Sequence, residues 1–483
     1  MIFASRASYA NRIVIVTAAA AAGILLSLQL LAPPVIGFAN NGDFERVMGP
    51  VGFQYLTQER AEKYFSWINT KFAYATPGWY RSRLITSEIL LASAARGVSE
   101  PFAAGGPFDI RVLGGIHALL LVAGLALLVA ATASLALPAQ WVGAGLLVVI
   151  FTDVGYAAPL NSFLSQAASL VFLLLCLGVL AGWIAHPGPS LRFALPFFLF
   201  AALFVASKPQ EVIQAPLLAA AGLRLGLGGS PGSRRMARRG VFGAAAILCA
   251  LSIWYYRQTP PEIADVAKYH KVFMELLQDS PRPEQDLKDL DLDPSWTLAI
   301  GKIAYPPSSP YSDPEFRGQF LARFSYAKLI RFYLANPRRL ISAIRHGGLQ
   351  ALRLRHPRFG NYERSAGFPA GAQTRSFSWW SNLRLSLPGQ PLSWIGLLFA
   401  ASLAAAGWTY RRASPAGRRA REGILLLIVM ASAAFFVCVL SNAHGDLARH
   451  FYVFHALCDL TLIADIVWAT SGLSVLLSRA RSG

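Results

Sequence analysis

The seven residues Asn40-Asn41-Gly42-Asp43-Phe44-Glu45-Arg46 put two carboxylates, a guanidinium and three small or amide residues directly behind the first long apolar run, about 13–36. A carboxylate where a chain leaves the bilayer is placed to meet a lipid-borne substrate. It can accept a proton from a hydroxyl, a role that contributes about 10²–10⁴-fold, or ligate a metal ion. Asp43 is the better placed of the two, because it follows a glycine and the backbone there can approach a substrate closely. Glu45 and Arg46 are secondary candidates, expected to face water or to pair with each other. The plain alternative for the whole stretch is a polar cap just outside the membrane.

Other polar clusters sit at the ends of apolar runs. Phe151-Thr152-Asp153-Val154-Gly155-Tyr156 leads to Asn161; Ser207-Lys208-Pro209-Gln210-Glu211 closes another run; Gly445-Asp446-Leu447-Ala448-Arg449-His450 opens the last one. A carboxylate in a spanning segment is costly and keeps a partner or a function. Asp153 is therefore expected either to bind a sugar hydroxyl or to cap the turn into the next run, with Asn161 beside it. Lys208 and Arg449 carry donors suited to phosphate oxygens, with Gln210, Asp446 and His450 as further donor-binding candidates. The alternative for Lys208 is snorkelling to the head groups. His455 is expected to face the bundle, and Arg353, Arg355, His356 and Arg358 to form a surface strip for anionic lipid.

These residues need a scaffold, and composition says which. The chain is 54% hydrophobic and 14% charged over 483 residues, against about 25% charged in soluble domains. Most of it must lie in lipid, with room for about ten spanning helices. The net charge of +19 does not indicate nucleic acid. Arginines gather in short loops (Arg234, Arg235, Arg238 and Arg239; Arg411, Arg412, Arg418, Arg419 and Arg421), which is the positive-inside pattern; the rest can attract anionic lipid or a phosphate-bearing substrate. The four cysteines form no CxxC pair and read as packing residues. Arg6 and Arg12 precede an apolar run too long for a cleaved signal peptide, so an uncleaved signal anchor is expected.

The expected fold is all-α and polytopic, with spans at about 13–36, 112–136, 140–158, 162–185, 192–206, 212–227, 240–256, 392–410, 423–441 and 451–477. Three divisions follow: a transmembrane module at 1–256 with a first extracytoplasmic loop at 37–111, an extracytoplasmic cap at 257–391, and C-terminal spans at 392–483. Within the first loop, 56–75 and 82–96 have amphipathic helical spacing and are expected as helices lying on the membrane surface. In the cap, an amphipathic helical pair is expected at about 315–335 and 337–350. With the N-terminus inside, ten crossings put both arginine loops and both termini in the cytoplasm. The same parity puts Asp43, Asp153, Lys208, Glu211, the cap and Asp446-Arg449-His450 together outside.

One span, a large outer loop opening with an acid, surface helices and a many-helix bundle: this layout resembles the GT-C class of integral-membrane glycosyltransferases. Asn41-Gly42-Asp43-Phe44, Phe151 to Tyr156, Ser207-Lys208-Pro209-Gln210, Tyr362-Glu363-Arg364-Ser365, Trp379-Trp380-Ser381 and Gly445 to His450 also resemble a set of bacterial membrane proteins of surface-glycan synthesis. The resemblance implies a sugar donor on a polyprenyl phosphate or diphosphate, a glycan or lipid acceptor, membrane lipids as surroundings, an inner (plasma) membrane location and Asp43 as base or metal ligand. Many class members have two adjacent acids in the first loop, whereas Phe44 separates Asp43 from Glu45, so a divalent cation stays open as a cofactor. The competing expectations are a transporter or flippase of a lipid-linked saccharide, against which no internal repeat is found, and a non-enzymatic partner of glycan assembly.

Overall fold

The computed structural model describes residues 9–80, 84–186, 190–226, 235–441 and 447–482. Helices dominate, and among the described residues seven are long and apolar enough to cross a membrane: Tyr9–Leu30, Ile110–Ala131, Ser165–Ala185, Ala237–Arg257, Pro391–Tyr410, Pro415–Ser441 and Tyr452–Ser474. Leu137–Phe151 and Val154–Leu160 are bent by 60° and make an eighth if they count as one span. The protein is an all-α polytopic membrane protein, with two small antiparallel sheets among the described residues.

The fifth and sixth expected spans are the exceptions. Leu191–Val205 has 15 residues, about 22 Å at 1.5 Å per residue, against a hydrocarbon core of about 30 Å. Ala215–Gly226, with 12 residues, is shorter still, and a 3₁₀ turn at Pro209–Gln214 joins the two. The parity of every other helix is the same whether both of them cross or neither does.

Ser165–Ala185 is the hub. It is almost wholly buried and packs against Ile110–Ala131 and Leu191–Val205. Glycines allow the first contact to be close: a Cβ on Gly124 would meet the Cβ of Leu174 at 2.9 Å, and one on Gly178 would meet that of Leu127 at 2.7 Å. Small residues at such crossings are how apolar helices associate in lipid.

The first loop departs from expectation. The first helix ends at Leu30, and residues 31–36 leave it, since Pro33-Pro34 cannot continue a helix. Ile36–Phe38 then pairs antiparallel with Phe359–Tyr362 of the cap. The stretch 56–75 is not an amphipathic helix. It holds one short helix, Arg60–Lys63, and the strand Lys71–Tyr74, the centre of a sheet with Phe53–Tyr55 and Phe108–Asp109. The aromatics fill a core across strands instead of coating a helix face: Phe53 stacks on Phe108 at 4.2 Å, and Phe72 meets Phe163 edge-on at 5.1 Å. The second expected helix is present as Ser87–Ser99, capped by Thr86, whose hydroxyl accepts from the Glu88 N–H at 2.9 Å. Its polar side is not all in water. Glu88 is fully buried, pairing with His117 at 3.0 Å and accepting from the Ala168 N–H at 3.1 Å, which ties the helix into the bundle.

In the cap, the expected first helix of the pair is two, Pro314–Arg323 and Tyr326–Ala335, because Ser325 breaks it and caps the second by accepting from Lys328 N–H at 3.3 Å. Pro337–Leu349 follows. An aromatic core holds this region, with Trp296 on Phe316 at 4.8 Å and Tyr269 on Phe273 at 4.9 Å. Buried Lys271 donates to Glu275 and to the Val439 carbonyl of Pro415–Ser441, fastening cap to bundle.

Candidate functional site

The turn bearing Asp43 is fixed from both ends. Behind it, the Asn161 amide donates to the Leu30 carbonyl at 2.8 Å and the Ile36 carbonyl at 2.9 Å, pinning the end of the first span to the strand that follows. At its start, the Asn40 side-chain oxygen accepts from the Gly42 N–H at 2.9 Å and the Phe44 N–H at 3.3 Å. This closes a local turn. Gly42 takes φ +99° there, a conformation that favours glycine. A short helix, Glu45–Val51, begins directly after.

Asp43 has a guanidinium on each carboxylate oxygen. Oδ1 accepts from Arg46 at 2.8 Å, and Oδ2 from Arg449. Arg449 comes from the short helix Leu447–His450 at the mouth of the last span, 406 residues away, and its side chain is only 7% exposed. Lys208, half-buried at the end of Leu191–Val205, is within electrostatic range of Glu211, Arg449 and Asp43. Burial pushes its ammonium below the usual lysine range, and Arg449 adds to this while Glu211 opposes it. Burial raises Glu211 to about 7. Next to them, Gln210 Oε1 lies 3.0 Å from His450 Nδ1. Asp43, Arg46, Lys208, Gln210, Arg449 and His450 are thus drawn into one cluster from the first loop, the 207–214 connection and the entrance of the last span.

Other expected site residues lie elsewhere. The Asp153 carboxylate caps Val154–Ala157 by accepting from the Gly155 N–H at 2.8 Å, and accepts from the Ser381 N–H at 3.0 Å and hydroxyl at 3.2 Å. Asn161 serves the backbone, as described. Glu45 does not pair with Arg46; it accepts from the Tyr64 hydroxyl at 2.6 Å and the Asn40 amide at 3.4 Å. Asp446 falls outside the described residues. The expected lipid strip is not one surface: His356 is buried, Arg355 donates to the Phe359 carbonyl at 3.0 Å, and Arg358 lies over the Phe65 ring at 4.8 Å.

Sequence reasoning missed a second buried network. Asp459, in the last span, accepts from Arg384 at 2.8 Å, from the Tyr156 hydroxyl at 2.7 Å and from the Trp380 indole at 2.9 Å. Arg384 also donates to the Ala351 and Leu352 carbonyls and meets His455 Nδ1 at 2.7 Å. A carboxylate inside an apolar run was the available signal. The network joins Tyr156, Trp380 and Arg384 to the last span.

What the cluster can hold follows from its donors. Both oxygens of Asp43 already face guanidinium groups, and Arg46, Lys208 and Arg449 outweigh the nearby acids. Among the described residues, no three His, Cys, Asp or Glu side chains gather as a metal-ligand set. A divalent cation does not fit these residues; an anion such as a phosphate does, through charge-assisted hydrogen bonds.

Comparison with known proteins adds three findings. The model of the family described as YfdI N-terminal transmembrane domain matches residues 4–481. No curated protein matches. Two solved structures from Archaeoglobus fulgidus are similar in part: the oligosaccharyltransferase in its apo form, and the oligosaccharyltransferase AglB in complex with an inhibitory peptide and a dolichol-phosphate. Each matches with a TM-score of 0.41 and 14% identity over 98% of this chain and 52% of its own, so this chain spans about half the length of either.

Proposed function

This chain belongs to the YfdI N-terminal transmembrane domain family, and within that family we propose that it is a glycosyltransferase that moves a sugar from a polyprenyl-phosphate-type carrier to a glycan or lipid acceptor. The reaction takes place on the extracytoplasmic face of the plasma membrane, with both termini in the cytoplasm. One observation carries the reading: Asp43 is held between Arg46 and Arg449, with Lys208 alongside. A carboxylate and a cationic clamp are the two tools this transfer needs. A sugar phosphate already contains a good leaving anion, so the enzyme must stabilise that anion and take a proton from the attacking hydroxyl.

The site residues act in sequence. The donor phosphate approaches Arg449 and Lys208, and its oxygens replace Asp43 Oδ2 on the Arg449 guanidinium. Arg46 keeps Asp43 in place while the released oxygen turns to the acceptor hydroxyl. As the hydroxyl oxygen bonds to the anomeric carbon, its proton passes to Asp43, the carbon–phosphate oxygen bond breaks, and the electron pair leaves on the phosphate among the cations. Gln210 and His450 brace the clamp from behind.

The test is deletion of the gene followed by mass spectrometry of surface glycans. Loss of one defined sugar, restored by the wild-type gene, is expected. Unchanged glycans would overturn the assignment.

A further inference from the structure

A cavity of about 450 Å³ opens beside the Asp43 turn, within the roughly 300–1,000 Å³ range of small-molecule sites. The turn presents two faces. Asp43 and Arg46, three residues apart, pair with each other and turn to Arg449. Gly42 and Glu45, also three apart, line the cavity. The wall opposite comes from the first loop and includes Gln58, Tyr64, Trp79 and Tyr80.

The chemistry of that wall differs from the cation cluster. Trp79 is 37% exposed, yet its indole is fixed, because Nε1 donates to the Phe53 carbonyl at 2.9 Å. Tyr80 stands edge-on to it at 5.6 Å. Glu45 is held by two neutral donors, Tyr64 and Asn40, which leaves carboxylate lone pairs to accept from hydroxyls. Gln58 adds an amide whose oxygen accepts from Lys63 at 2.9 Å, and Lys63 also lines the cavity, its charge offsetting that of Glu45. Exposed rings set rigidly beside amides and a carboxylate match a neutral polyhydroxyl ligand. Ring faces cover its C–H surface, and the polar groups take its hydroxyls.

We propose that this cavity is the subsite for the acceptor saccharide, binding neutral sugar rings against Trp79 and Tyr80 and delivering a hydroxyl past Gly42 toward Asp43. The inference rests on the transferase reading above. An acceptor must reach the anomeric carbon without displacing the phosphate from its cations, so acceptor and phosphate need separate faces of the turn. Gly42, lacking a side chain, leaves the passage between them open; a Cβ there would meet nothing within 4 Å.

The test uses the full chain in lipid nanodiscs and saturation-transfer NMR with a panel of neutral di- and trisaccharides of hexoses and deoxyhexoses. At least one is expected to bind. Trp79→Ala and Gln58→Ala should each weaken it about tenfold, the scale of one lost contact, while Trp79→Phe, which keeps a ring, retains most of it. Arg449→Gln should leave saccharide binding unchanged, and Trp79→Ala should leave binding of a polyprenyl-phosphate sugar unchanged. No binding across the panel, or binding indifferent to both alanine variants, would overturn the subsite. Failure of the transferase reading shows elsewhere, as transfer that persists in Asp43→Asn.

Discussion

Arg449→Gln separates the clamp from the base. Arg449 is 7% exposed and Asp43 19%, so the pair lies largely out of water and is screened little. In the proposed reaction the donor phosphate takes over the Arg449 guanidinium. Glutamine keeps hydrogen-bonding capacity but removes the charge, and losing one charged hydrogen bond costs about 1.5–3 kcal/mol, or roughly ten- to 150-fold in dissociation constant. Folding should suffer less than when a buried pair loses its only partner, about 3–5 kcal/mol, because Arg46 stays on Asp43 at 2.8 Å. The variant should therefore insert at normal levels. Arg46, at 30% exposed, is better hydrated, and Arg46→Gln should weaken donor binding by less. Equilibrium binding of a polyprenyl-phosphate sugar to purified protein in nanodiscs measures both. An unchanged dissociation constant in well-folded Arg449→Gln would refute phosphate capture by this arginine.

Three further outcomes are expected. Donor affinity should fall as pH rises from about 6 to about 8, because Glu211 ionises near 7 and Lys208 loses its proton earlier than an ordinary lysine, both of which weaken the hold on an anion; the fall should be shallower in Glu211→Gln, and an identical pH profile would count against Glu211. Asp459→Asn should lower stability by about 3–5 kcal/mol, since it leaves the buried Arg384 charge uncompensated, while replacing Asp459 and Arg384 together by leucine and methionine should recover much of it; thermal unfolding in detergent reads this, and a normal melting temperature for the single variant would contradict it. A cysteine at exposed Ser308 in the cap should react with an impermeant reagent from outside and one at exposed Ser414 should not; the reverse labelling would overturn the topology.

The long spans were legible because length and apolarity alone specify them: the run expected at 162–185 is the helix Ser165–Ala185, and that at 392–410 is Pro391–Tyr410. The 56–75 error has a physical origin. Tyr64, Phe65, Trp67 and Phe72 fit a helical face locally, but Lys71–Tyr74 is a strand because it pairs with Phe53–Tyr55, just before the stretch, and with Phe108–Asp109, far beyond it. At the candidate site, residue type and topological parity put Asp43, Lys208 and Arg449 on one face, whereas the pairing of Asp43 with both arginines needed the fold. Asp459 stood out only as a carboxylate inside an apolar run; its meeting with Arg384 and Tyr156 shows how its charge is held.

The most direct test is transfer by purified Asp43→Asn with a polyprenyl-phosphate sugar and a glycan acceptor. Asparagine keeps the shape and some of the hydrogen bonds but cannot serve as the base, and it removes a negative charge from among three cations. Donor binding should therefore be retained or tighter, while transfer falls by at least about 100-fold; Glu45→Gln, which leaves the cations and Asp43 untouched, should lose much less. Full transfer by Asp43→Asn at normal membrane levels would contradict the assignment of Asp43 as base.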